Sequence, residues 1–82
     1  MSQENPGHRE YVFFVDGKQC KNQDSSITGL AIKEAGGVPA NYQLMEEGHG
    51  NDPDTQIGDS QVVSLEGGAK HFYGAPPATY GA

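Results

Sequence analysis

Several residue types are scarce in this 82-residue chain, and each shortage excludes a class of protein. A single cysteine, Cys20, excludes an internal disulfide framework and fits a reducing compartment. We therefore expect a cytoplasmic protein in which Cys20 is a half-buried structural residue. No apolar run reaches the ~18 residues of a membrane-spanning helix, and the chain begins without the basic and apolar regions of a secretory signal. No membrane partner is expected.

Basic residues are also scarce. Five Lys and Arg residues stand against eleven Asp and Glu residues, and the formal net charge is −6. Because nucleic-acid binding needs clustered Lys and Arg against phosphates, we expect no nucleic-acid partner. The histidines at positions 8, 49 and 71 lack metal-ligand spacing, so no metal and no cofactor are expected. No nucleophile, base and orienting group can be placed together, which predicts a protein that is not an enzyme.

The apolar residues divide the chain into three parts. Residues 1–9 have no apolar residue after Met1, and we expect them to be disordered. Residues 10–73 form the predicted domain, whose small size makes it marginal but viable alone. Residues 74–82 form a predicted extended tail.

The stretch YVFFV at residues 11–15 is the strongest strand signal, because every residue in it is aromatic or β-branched. The dipeptide Asp16-Gly17 follows at once and is a preferred two-residue hairpin turn. Residues 18–21 should therefore form the returning strand.

Alternation along the first strand separates a core face from an outer face. The core set is Tyr11, Phe13 and Val15. Val12 and Phe14 lie on the outer face, where an exposed Phe14 would mark a contact surface. Lone exposed aromatics are also common without any such role.

One short helix is predicted after a polar connector at residues 22–26. Thr28 fits its N-cap, Gly36 or Gly37 supplies the left-handed residue that closes it, and Pro39 prevents its continuation. The predicted core-facing side chains are Ala31, Ile32 and Ala35. A helix of about two turns persists only if it is docked on a sheet.

The second half of the domain carries weaker strand signals. Residues 42–45 and 70–73 are predicted strands, and residues 61–65 are a short apolar run. Between the first two lies an acidic segment, residues 46–59, that we expect to be a solvated loop. It lacks the ligand spacing of a helix–loop–helix calcium site.

This order of elements predicts an α+β fold in which one helix packs on one face of a mixed sheet. That is the β-grasp arrangement. The last strand should lie beside the first, with the tail leaving from its end.

The tail cannot continue a regular element. Gly74, Pro76 and Pro77 exclude a helix, and the two prolines withhold ladder donors. Residues 74–82 carry no charged side chain, so this extended arm could enter a narrow channel, as a protein with a reactive terminal carboxylate requires. The alternative is an ordinary unpacked terminus.

Four motifs in order suggest a family. They are YVFFVDGK, ITGLAIKEAGGV, NYQL and HFYGAPPATYG, and together they run from residue 11 to residue 81. This series resembles the bacterial ubiquitin-like family often called multiubiquitin proteins. Many members carry tandem copies, whereas this chain carries one.

The resemblance implies a flexible C-terminal tail that ends in a conjugated glycine. Gly81 would be the residue whose carboxylate is adenylated, passed to an enzyme cysteine as a thioester, and joined to a target amine or hydroxyl. Ala82 blocks Gly81 as encoded, so a peptidase would have to remove it. The residues that would be recognised in the tail are Pro76, Pro77, Thr79 and Tyr80.

The resemblance also implies partners. They are a ubiquitin-activating-like enzyme, a ubiquitin-conjugating-like enzyme, a JAB-type metallopeptidase and target proteins, in systems linked to antiviral defence. A second copy could be accepted only by the side-chain amines of Lys18, Lys21, Lys33 and Lys70.

Two other functions stay open at this point. The domain could be a non-conjugated interaction module that binds through Val12 and Phe14 and offers its tail as a strand-like or polyproline ligand. It could also be a sulfur carrier, although such carriers usually end in Gly-Gly and this chain ends in Gly81-Ala82.

Overall fold

The computed structural model describes residues 10–77, and the predicted N-terminal segment 1–9 lies outside them. Eight elements follow one another in this part of the chain. They are β1 (Tyr11–Val15), β2 (Lys18–Asn22), β3 (Ser26–Thr28), α1 (Gly29–Gly36), β4 (Gln43–Glu46), β5 (Thr55–Ile57), β6 (Val62–Ser64) and β7 (Lys70–Ala75). No helix among the described residues is long and apolar enough to cross a membrane.

The main sheet has five strands in the order β2-β1-β7-β4-β5, and β3 and β6 form a separate two-stranded sheet. Strand β7 is parallel to β1 and antiparallel to β4. Helix α1 packs against β1, β2 and β3. This is an α+β fold of the ubiquitin-like β-grasp type, which confirms the predicted arrangement, with the last strand beside the first.

The core lies between the sheet and the helix. Its largest fully buried side chains are Phe13, Phe72, Ile32, Leu44 and Val15. The rings of Phe13 and Phe72 meet edge to face, with centroids 6.1 Å apart. Each of these side chains stabilises the fold by about 1.5–3 kcal/mol through burial. The alternation predicted for β1 is therefore confirmed at Phe13 and Val15, and Tyr11 is partly buried against the core.

The turn between β1 and β2 has positive φ at both central residues, 52° at Asp16 and 81° at Gly17. Two-residue hairpins favour this turn type because its twist matches that of the strands. Asp tolerates the left-handed region better than most residues, and Gly adopts it without steric cost. The predicted hairpin is confirmed.

Both predicted helix caps are present. The Thr28 hydroxyl accepts a hydrogen bond from the Ala31 amide at 3.2 Å, and Gly37 has a left-handed φ of 74°. The predicted core face is wrong at Ala35, which is exposed. The buried helical residues are Gly29, Ile32 and Lys33.

Close packing explains which face of the helix is buried. A Cβ at Gly36 would lie against the Val15 side chain, so positions 29, 32, 33 and 36 form the face next to the sheet. Two of these residues are glycines and one is a lysine. Apolar side chains at helical spacing occur at Ala31 and Ala35, so the sequence predicted a neighbouring face of the helix instead of this one.

Two short strands were not predicted. The polar connector at residues 22–26 was expected to lead directly into the helix. Strand β3 instead begins at Ser26 and ends at Thr28. Strand β5 lies within the expected acidic loop at residues 46–59 and pairs with β4, with Ile57 buried at its end. The expectation of loop throughout this segment is therefore wrong, because three residues with one apolar side chain give no periodic signal.

Candidate functional site

The C-terminal strand β7 is the root of the predicted tail. It lies at the centre of the five-stranded sheet, between β1 and β4. On the β1 side, Val15 faces Phe72, and the Asp16 amide donates to the Phe72 carbonyl at 2.9 Å. On the β4 side, Gly74 faces Leu44 and Ala75 faces Gln43. The tail therefore starts from a strand that is paired on both sides.

The strand ends two residues later than predicted, at Ala75 instead of Tyr73. Gly74 fits here because the chain passes close to its neighbours. A Cβ at this position would lie 2.7 Å from Val38 Cγ1 and 3.3 Å from Tyr42 Cδ2. The glycine that was expected to release the tail is instead a packing residue of the sheet.

The tail leaves the sheet at Pro76 and Pro77, which are exposed and outside any strand. The predicted site residues Thr79, Tyr80, Gly81 and Ala82 lie outside the described residues. Because β7 ends at Ala75, Gly81 is only the sixth residue beyond the sheet. Six residues span at most about 20 Å. This reach is shorter than the one implied by a tail starting at Gly74.

The outer face of the sheet, opposite the helix, carries the predicted contact residues Val12 and Phe14. Both are half-buried, so the expectation of a fully exposed Phe14 is wrong. The rings of Phe14 and His71 are stacked, with centroids 4.8 Å apart and planes 8° from parallel. Parallel pairing of β1 with β7 puts these two residues side by side. The imidazole therefore covers part of the Phe14 ring.

Tyr73 also lies on this face and connects β7 to the acidic segment. Its hydroxyl donates a 2.5 Å hydrogen bond to Asp54 Oδ2, while the Gly48 amide donates to Asp54 Oδ1 at 2.9 Å. These two hydrogen bonds, the tyrosine one foremost, lower the pKa of Asp54. The same contact with Asp54 raises the pKa of Tyr73. Sequence reasoning missed this link, because nothing local indicates a contact between residues 19 positions apart.

A second backbone contact holds the same segment against β7. The Glu47 amide donates to the His71 carbonyl at 2.9 Å. Together with the Tyr73–Asp54 hydrogen bond, it fixes the start and the end of the loop between β4 and β5 on the central strand.

Comparison with known families identifies the chain. The family described as Multiubiquitin matches residues 11–76, from the first residue of β1 to the first proline after β7. The chain belongs to the Multiubiquitin family. It is thus a ubiquitin-like protein. Searches of curated proteins and of solved structures gave no significant match.

The four lysines of this Multiubiquitin-family chain differ in accessibility. Lys33 is buried, with 4% of its side chain exposed, and its Nζ donates to the Ala40 carbonyl at 2.9 Å and to Asp59 Oδ1 at 3.1 Å. Lys33 is therefore the least accessible of the four candidate acceptors. Helix α1 turns this residue toward the loops before β4 and after β5, where the Ala40 carbonyl and the Asp59 carboxylate compensate its charge.

The other three lysines reach solvent to different extents. Lys21 is exposed and lies 3.6 Å from Glu10, whereas Lys70 is partly buried and lies 3.6 Å from Glu46. Lys18 is exposed, and within residues 10–77 it forms no ion pair. The amines of Lys18 and Lys21 are therefore more accessible than that of Lys70.

Cys20 is 8% exposed and belongs to the core. Its Sγ lies 3.7 Å from the carbonyl oxygens of Lys18 and Ala35. A buried thiol against two carbonyls is a packing residue and is poorly placed for attack on a substrate. It is more deeply buried than the half-buried position that was expected.

Proposed function

We propose that this chain is a ubiquitin-like protein modifier that is joined to other proteins through Gly81. The observation that carries the proposal is the family match, which covers the whole described domain and ends where the tail begins. Support also comes from the sequence of the tail. Residues 74–82 carry no charged side chain in a chain of net charge −6, as entry into a narrow enzyme channel would favour.

The chemistry begins at the end of the tail. A peptidase of the JAB metallopeptidase type hydrolyses the bond between Gly81 and Ala82. An activating enzyme then joins the Gly81 carboxylate to AMP from ATP and releases pyrophosphate. An enzyme thiolate displaces AMP and forms a thioester. A glycine suits these steps, because it has no Cβ and passes through a tight channel with free φ and ψ.

Transfer to a target completes the sequence. A target amine attacks the thioester carbonyl, the carbon–sulfur bond breaks, the thiolate leaves and the amine loses a proton to solvent. A conjugating enzyme positions the two partners. In this scheme the chain supplies the carboxylate and the recognition surface, while the enzymes supply every catalytic group. The setting we propose is bacterial antiviral defence, as the family resemblance implies.

If one copy is joined to another, the exposed amines of Lys18 and Lys21 are the proposed acceptors, followed by Lys70. Lys33 could react only after its contacts with Asp59 and Ala40 are broken.

The test is a thioester assay. The chain ending at Gly81 is incubated with ATP and the ubiquitin-activating-like enzyme encoded in the same genome. We expect an adduct that a reducing thiol removes, and Gly81→Glu should abolish it. Absence of an adduct with the unsubstituted chain would refute the modifier function. So would an adduct of equal yield with Gly81→Glu.

A non-conjugated interaction module is the second candidate, and the outer face of the sheet favours it. Val12 and Phe14 present apolar surface there, on the side of the sheet that helix α1 leaves uncovered. If this is the function, Phe14→Ala should abolish capture of the natural partner, and deletion of Gly81 and Ala82 should leave it unchanged. If the chain is a modifier, deletion of Gly81 and Ala82 should instead abolish thioester formation with the activating enzyme.

A further inference from the structure

Two stretches of this acidic chain run for more than ten residues without an Asp, Glu, Lys or Arg. One comprises residues 35–45 and the other residues 71–82, and the charged residues are distributed over the rest of the chain. In a sequence of this charge density, two such gaps distant from one another suggest a shared cause. The fold shows what they have in common.

Pairing of β4 with β7 brings the two uncharged stretches together. Ala75 faces Gln43 in this ladder, and Gly74 packs against Val38 and Tyr42. Tyr42 and Gln43 therefore lie beside Gly74 and Ala75, where the tail leaves the sheet; residues 39–41 lead into the first pair and residues 76–77 continue from the second. We call these two segments the exit rim. Asp16 borders β7 on the opposite, β1 side, so the uncharged surface is confined to the β4 side.

The exit rim is both accessible and fixed in place. Pro39, Ala40, Asn41 and Gln43 are exposed, as are Pro76 and Pro77. Two hydrogen bonds hold the loop before β4 in place. The Lys33 ammonium donates to the Ala40 carbonyl, and the Tyr42 amide donates to the Pro39 carbonyl at 3.0 Å. A preorganised surface binds without the entropy cost of ordering a loop.

We infer that the activating enzyme binds the exit rim through amide hydrogen bonds and apolar contacts instead of ion pairs. The inference rests on the proposed function, since the enzyme is the one that adenylates Gly81. An enzyme that binds the uncharged tail must also enclose the residues where the tail begins. A charged side chain there would be desolvated without gaining an oppositely charged partner. The rim residues carry no charge of their own, and the nearest charged groups are the Lys33 ammonium on the Ala40 carbonyl and its ion-pair partner Asp59.

The experiment introduces single charges without changing side-chain size. Asn41→Asp and Gln43→Glu each place a carboxylate on the exit rim, and Gln43→Lys places an ammonium there. Gln23→Glu is the matched control, because Gln23 is exposed and follows Asn22, which pairs with Tyr11 at the far end of the sheet. Each of these four substitutions is made singly in the chain that ends at Gly81.

Thioester formation with the activating enzyme and ATP is then measured as kcat/KM. We expect each of the three rim variants to lose roughly tenfold in kcat/KM, with Gln23→Glu unchanged and the thermal midpoints of all variants within a few degrees of the unsubstituted chain. Raising the salt from low to above physiological ionic strength should change the unsubstituted rate by less than about twofold, because no exposed ion pairs are screened.

Three results would overturn the inference while leaving the modifier function intact. The first is equal rates for the rim variants and the control. The second is a faster reaction with Gln43→Lys and a slower one with Gln43→Glu, which would mean an acidic partner surface. The third is a steep fall in rate with salt. Absence of any thioester with the unsubstituted chain would instead refute the proposed function and this inference together.

Discussion

Substitution of Gly74 by alanine tests whether the tail is anchored by close packing. The added Cβ would lie 2.7 Å from Val38 Cγ1, well inside the 3.4–4 Å of ordinary van der Waals contact. Val38 is a buried core residue in the connection between α1 and β4, and the Lys33 carbonyl accepts its amide hydrogen bond at 2.8 Å. It cannot move away without disturbing the helix end.

The expected magnitude follows from two opposing effects. Overpacking in a well-packed region costs about 1–3 kcal/mol. Replacing a strand glycine by alanine recovers roughly 0.5–1 kcal/mol of backbone entropy. We therefore expect Gly74→Ala to lower the free energy of unfolding by about 1–2 kcal/mol. For a domain of this size, that is a fall in Tm of roughly 5–15 °C.

Gly58→Ala is the matched control. A Cβ at Gly58 would meet only the Gln61 Cβ at 4.0 Å, and the φ of Gly58 is not in the left-handed region. The same chemical change should therefore be neutral or slightly stabilising there. Urea unfolding followed by circular dichroism measures both variants. If Gly74→Ala were as stable as the unsubstituted chain, or if the two variants changed stability alike, close packing at the root of the tail would be refuted.

Three further predictions concern single contacts. Lys33→Met keeps the buried stem but leaves the Ala40 carbonyl without its donor, so we expect the free energy of unfolding in urea to fall by about 1–3 kcal/mol. Asp59→Asn changes the exposed partner and should lower it by only about 0–1 kcal/mol. Equal losses in the two variants would contradict this account of the contact. The hydrogen bond that lowers the pKa of Asp54 and raises that of Tyr73 stabilises the fold only while Asp54 is ionised and Tyr73 is neutral. The difference in Tm between the unsubstituted chain and Tyr73→Phe should therefore shrink below about pH 4 and again above about pH 10, and a difference constant with pH would exclude this linkage. Gly17→Ala, at a φ of 81°, should cost about 1 kcal/mol in thermal unfolding, and an unchanged Tm would mean that the turn relaxes.

Local signals predicted the first half of the fold. Strand β1, the turn at Asp16 and Gly17, and the caps of α1 at Thr28 and Gly37 each depend on a few neighbouring residues whose conformational preferences agree. For these elements the sequence and the structure coincide to within a residue or two. The position of β7 beside β1 also followed, because the order of elements leaves few ways to cover the sheet.

Non-local contacts explain what the sequence could not predict. Strand β5 exists because β4 offers it an edge, and its three residues carry no signal of their own. Burial of Lys33 depends on Ala40 and Asp59, and the helix face that includes it is made largely of glycines packed against neighbouring elements. Half-burial of Phe14 depends likewise on His71 in a strand distant along the chain.

The candidate site divides in the same way. The tail motif was visible in the sequence, as were the amines of Lys18 and Lys21. The exit rim was not, because its two uncharged segments are neighbours only after β4 pairs with β7.

The central position of β7 has a mechanical consequence. Its hydrogen-bond ladders run to β1 on one side and to β4 on the other. A force that pulls the tail along the strand axis would have to shear both ladders at once, instead of opening one ladder bond by bond from an edge. A domain held in this way should stay folded when its C-terminal tail is pulled.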